Sequence, residues 1–108
     1  VARRPTEGWD HAPAAFVAAA DRVLASFESE VRGLDAPSDA EVLQVVRRVV
    51  EGLNAIDGTH DHDIDTVDRE ELCEFIDALL AEAGVNLDGL AARQGFERYE
   101  LTDAWREW

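Results

Sequence analysis

The chain has 108 residues, 24 aspartates and glutamates against 10 arginines, no lysine, and a formal charge of -14 at pH 7. That length suffices for one domain with its own core, because disulfides or metals become necessary only below roughly 40 residues. The charge excludes nucleic acid as a partner, since binding phosphates needs clustered cations that release counterions; the lone Cys73 excludes an internal disulfide and a thiolate zinc cage.

Residues 1–9 carry Arg3, Arg4, Pro5 and Gly8 without periodicity and are expected to form a mobile arm, with residues 10–108 as a single helical domain. Asp10 is placed to cap a first helix, with Pro13 in its opening turn. Phe16, Ala20, Val23, Leu24, Phe27, Val31 and Leu34 then recur every three or four residues, until Gly33 and Pro37 break the pattern. Ser38-Asp-Ala-Glu41 is a capping box that starts a second helix, whose stripe is Val42, Val45, Val46, Val49, Leu53 and Ile56.

After an acidic stretch, Asp65 or Thr66 is expected to cap a third helix. Its stripe is Leu72, Cys73, Ile76, Leu79, Leu80 and Ala83, with Phe75 to one side and Gly84 as its stop. Asn86 caps a short fourth helix ended by Gly95, and Thr102 a last turn. No strand-like alternation or repeat appears, so the expected fold is all-α, a single small bundle of four to five helices. No run is apolar enough to span a membrane and no signal-peptide pattern is visible, which makes a cytoplasmic setting the expectation.

The stretch from Asp57 to Asp68 concentrates oxygen ligands. On a calcium-loop template, Asp57, Thr59, Asp61, Asp65 and Asp68 take ligand positions one, three, five, nine and twelve, and Ile64 takes the apolar eighth. Against this, His62 stands where glycine normally allows the turn, Asp68 is one methylene shorter than the usual Glu, Arg69 replaces an apolar residue, and there is no second hand. A weak calcium or magnesium site through these residues is therefore the alternative reading, beside a solvated acidic turn. His60 and His62, flanking Asp61, offer imidazoles for zinc or nickel.

No carboxylate pair is marked out as acid and base, and Glu71 and Glu74 beside Cys73 oppose an activated thiolate, so enzymatic activity is not expected. Tyr99, Trp105 and Trp108 form an aromatic tail that either docks on the core or anchors a partner.

Leu53-Asn-Ala-Ile56, Asp63-Ile-Asp-Thr-Val-Asp-Arg-Glu70 and the closing Arg106-Glu-Trp108 resemble a family of small acidic helical bacterial proteins, a domain of unknown function. That family carries an Asn-x-Leu, an Ile-Glu-Thr-x-x-Arg-Glu and a terminal Trp motif. The resemblance covers residues 42–108 and implies a structural polar cluster of Asn54, Asp65, Thr66 and Arg69, with Arg69 reaching back one turn to Asp65. It brings no catalytic residues. The expected function is a non-enzymatic acidic interaction module, of the inhibitor or immunity kind, that binds a basic protein partner.

Overall fold

The Ser38 capping box forms as its spacing predicts: the Ser38 hydroxyl accepts from the Glu41 amide, and the Glu41 carboxylate accepts from the Ser38 amide, both at 3.2 Å. It opens α2, Asp39–Thr59, the longest helix in a computed structural model that describes residues 3–60 and 64–108. The other helices are α1, Ala14–Arg32, α3, Thr66–Glu82, and α4, Leu87–Gln94. Among the described residues there is no strand, and the fold is all-α. No helix there is long and apolar enough to cross a membrane.

α1 begins later than its expected cap. Pro13, not Asp10, occupies the cap position, and its carbonyl accepts from the Val17 amide at 3.0 Å. A proline disfavours helical geometry in the residue before it, so Asp10 is left in a preceding turn. α1 and α2 form the principal helix pair, and their short link of residues 33–38 suits antiparallel neighbours. Gly52 sets their approach, because a Cβ at that position would meet the Val23 Cγ1 at 3.0 Å.

Phe16, Leu24, Phe27, Val46, Val50, Leu53, Leu72, Ile76 and Leu80 are the fully buried heart of the core. Phe75 is buried as well, rather than lying to one side, whereas Ala83 is exposed at the helix end. α3 stops where glycine permits it. Gly84 adopts φ 94, the Val85 amide donates to the Leu80 carbonyl and the Gly84 amide to the Ala81 carbonyl, which closes the last turn in a Schellman motif. Asn86 caps α4 through the Gly89 amide, and Gly95 ends it at φ 79.

Within the expected mobile arm, the described residues are packed. Residues 3–9 include a 3-10 turn, Pro5–Gly8, that lies against α1 and α3. Pro5, Thr6 and Trp9 are buried, and the Trp9 ring stacks on Phe16 with centroids 5.8 Å apart. The cause is a carboxylate that needed a cation: Arg4 reaches across α1 to Asp21 and to the buried Glu28, each at 2.9 Å.

Candidate functional site

Of the calcium template, residues 57–59 end one helix and residues 66–68 begin another. The apolar stripe of α2 continues past Leu53, and the helix runs on through Thr59, where the His60 amide closes the last turn on the Ile56 carbonyl. The His60 ring packs edge-on against Phe16 at 5.5 Å, which fixes that end. Thr66 and Asp68 belong to α3. Of the proposed ligands, Asp57 and Thr59 lie on α2, where both are bonded within the chain, and Asp65 and Asp68 stand at the start of α3. The Asp57 carboxylate is buried and accepts from the Ile64 amide at 3.0 Å, and the Thr59 hydroxyl donates to the Ala55 carbonyl at 2.7 Å. Asp61, like the zinc or nickel candidate His62, lies outside the described residues. Ile64 packs against the core, as its apolar position in the template suggests.

Asp65 and Asp68 do come together, with a residue that sequence reasoning missed. Asp65 caps α3, its Oδ1 accepting from the Asp68 amide at 2.8 Å. The side chain of Asp68 points inward because it stands one turn before Leu72 on the buried stripe, and it is 1% exposed. Its Oδ2 lies 3.3 Å from the Nε2 of His11, which arrives from the segment between the first turn and α1. Ligand atoms of His11, Asp65 and Asp68 all lie within 4.8 Å of one another. The hydrogen bond to Asp68 and its negative charge, helped by Asp65 and Glu71, raise the His11 imidazole above its ordinary pKa.

The polar cluster implied by the resemblance is not one cluster. Asn54 is bonded to the C-terminal tail: its amide nitrogen donates to the Trp105 carbonyl at 2.8 Å, and its oxygen accepts from the Glu107 amide at 2.9 Å. Asp65 makes the cap already described, and Thr66 is exposed in the first helical turn. The Arg69 guanidinium meets no carboxylate within ion-pair distance among the described residues, so the expected bond back to Asp65 is absent there; the cap has taken that carboxylate for the Asp68 amide.

The aromatic tail divides. Trp105 and Trp108 pack against the core, with the Arg106 guanidinium 5.5 Å from the Trp108 ring, while Tyr99 is 82% exposed. Tyr99 rims a cavity of about 250 Å³ walled by Cys73, Glu74, Asp77, Arg98, Leu101 and Thr102. Cys73 is thus half-buried at a cavity wall rather than in the core, with Arg106 Nη1 at 3.5 Å and Thr102 Oγ1 at 3.6 Å from its sulfur. The Thr102 hydroxyl faces that sulfur instead of capping the tail's last turn, which closes through the Thr102 carbonyl.

Most arginines are spent inside the molecule. Arg48 pairs with Glu30, Arg93 with Asp39, and Arg98 with Asp77 and Asp88, in addition to the Arg4 pairs. α3 shows the opposite balance, since Arg69 is its one basic residue against Asp68, Glu70, Glu71, Glu74, Asp77 and Glu82. Glu70 and Glu74 are exposed and Glu71 half-buried beside them, with no ion pair to any of the three among the described residues. Compared with known proteins, the chain matches no family model, no curated protein and no solved structure.

Proposed function

We propose that this protein is a non-enzymatic interaction module that binds a basic protein partner on the acidic face of α3. The observation carrying this reading is the pair Glu70 and Glu74, like charges one helical turn apart on an exposed face with Glu71 beside them. Such a pair costs about 0.2–0.5 kcal/mol on an isolated helix, and folding supplies it with no cation among the described residues. A cationic partner turns that repulsion into attraction, and the charge of -14 steers its approach.

The reading is tested with a defined probe. An oligoarginine peptide titrated by calorimetry at low ionic strength should bind and should weaken as salt shortens the Debye length toward about 10 Å at 0.1 M. Replacing Glu70, Glu71 and Glu74 together with Gln should weaken binding more than replacing Asp10, Asp35 and Glu107 with their amides, which removes the same charge from other places. Equal weakening would mean a diffuse field rather than a face on α3, and an absence of low-salt binding would defeat the module itself.

A further inference from the structure

Among the described residues, the buried carboxylate of Asp68 meets no permanent counter-charge. Its carboxylate receives no guanidinium, hydroxyl or backbone donor among the described residues, and its one side-chain contact is the His11 nitrogen at 3.3 Å. Burying an ionised carboxylate costs several kcal/mol unless a cation or several donors face it. The contrast with Glu28 is direct, because that carboxylate is met by Arg4. What faces Asp68 is instead a nitrogen able to coordinate and the carboxylate of Asp65.

We propose that His11, Asp65 and Asp68 form a binding site for a divalent first-row transition-metal ion, a function beyond the partner binding assigned to α3. The spacing fits. Two donors about 2.0–2.2 Å from one ion and at roughly tetrahedral or octahedral angles lie about 3.0–3.5 Å apart, which brackets the His11 to Asp68 separation. Small side-chain shifts bring the third donor in, since all three ligand atoms already lie within 4.8 Å. His11 is 53% exposed at its side chain, so solvent reaches the site and water completes the coordination, as in zinc sites with three protein ligands.

The donor set selects among cations. One imidazole beside two carboxylates suits zinc, cobalt or manganese better than calcium or magnesium, whose sites are built from oxygen alone. The N-terminus of α3 opposes a cation with the equivalent of roughly half a positive charge, but two carboxylates outweigh it, and the Asp65 cap satisfies one of its amides. The dispersed Asp57 and Thr59 take no part. Two turns at either end of one short contact, residues 10–12 and 65–68, bring the donors together.

Calorimetry with Zn2+ and absorption spectroscopy with Co2+ test the site on the whole chain. Saturable one-to-one binding is expected, weakened at least about tenfold by His11→Ala, the lower end of what losing even an outer-shell partner costs a metal site. Asp68→Asn should weaken it similarly, and Ca2+ should bind less tightly than Zn2+. His60→Ala with His62→Ala should leave Zn2+ affinity unchanged. If His11→Ala perturbs the fold, the ring nitrogen resonances of His11 in the unaltered protein supply the readout, shifting on Zn2+ addition. No saturable binding below millimolar concentration, affinity insensitive to His11, resonances that stay in place, or binding lost with His60 and His62 would each overturn the site.

Discussion

Glu28 on α1 and Asp68 on α3 are both buried carboxylates, 7% and 1% exposed, and each stands one helical turn from a core leucine, Leu24 or Leu72. Their partners differ in kind. Glu28 faces a guanidinium that stays charged at every accessible pH, and Arg4 also holds Asp21, whose own hydroxyl partner is Thr6 at 2.9 Å. Asp68 faces a half-exposed imidazole, whose charge depends on the solution. The first region is complete within the chain and works as a clasp for residues 3–9; the second leaves a demand that a proton or a metal ion meets.

The largest effect should come from breaking the complete region. Arg4→Met strands Glu28 and Asp21, and removing one partner of a fully buried pair costs about 3–5 kcal/mol. Arg4 retains 32% of its side-chain exposure, which lowers the expected loss to about 2–3 kcal/mol. Urea denaturation followed by circular dichroism should show the midpoint falling with little change in slope. A shift corresponding to less than about 0.5 kcal/mol, the range of ordinary surface substitutions, would mean that the clasp is incidental.

Next in size is Asn54→Ala. This side chain satisfies one acceptor and one donor of the tail at once, and losing both bonds from a half-buried position should cost about 1–2 kcal/mol. Because the bonds fix the backbone around Trp105 and Glu107, tryptophan fluorescence should shift toward that of solvated indole before the helical signal is lost. Coincident loss of both signals would show that the tail is not held separately by Asn54.

The incomplete region should behave differently. In the metal-free protein Asp68→Asn relieves the cost of a buried charge but loses the hydrogen bond and attraction to His11 and about 0.3–1 kcal/mol of interaction with the helix N-terminus, terms of opposite sign. The net change at neutral pH should stay within about 1 kcal/mol of zero. A loss as large as that of Arg4→Met would erase the distinction between the two regions. The two variants are best compared in one chelated buffer.

The helices and their caps were legible because local chemistry decides them: Ser38 with Glu41, Asp65, Asn86, Gly84 and Gly95 all act where their residue types suggest. A ligand template reads spacing alone and does not register that the stripe through Leu53 and Ile56 extends α2 to Thr59. A usable signal was present in the same stripes. Glu28, Asp57 and Asp68 each fall where an apolar residue belongs, and a charge on a buried face demands a partner. For Glu28 the cation comes from residues 1–9 rather than from Arg22 or Arg32 on its own helix, a choice that tertiary packing makes. That His11 would face Asp68, 57 residues away, is a tertiary fact with no local trace. The same holds for Arg106 meeting Cys73 at 3.5 Å.

The smallest effect belongs to an ion pair on the surface, which extends the comparison to a region where neither partner is buried. Hydrogen bonds from Arg93 and then Gln94 hold the Asp39 carboxyl down to about 2, tying the start of α2 to the end of α4. A carboxyl depressed on folding stabilises the native state above its unfolded pKa, near 4, and loses that contribution as pH falls through its folded value. Arg93→Gln should therefore leave stability below pH 2 unchanged and lower it slightly at pH 5 and above, with the difference growing between those limits. Solvent screening keeps this below the other effects, and added salt should shrink it further. Asp21 follows the same sign: burial opposes its ionisation, but Arg4 and Thr6 bring it below the ordinary carboxylate value. Acid titrations of Arg93→Gln and Arg4→Met, run side by side, should then differ mainly above pH 4, where Arg4→Met loses more because Asp21 loses the guanidinium that offsets its burial, whereas the carboxylate of Asp39 can turn to water.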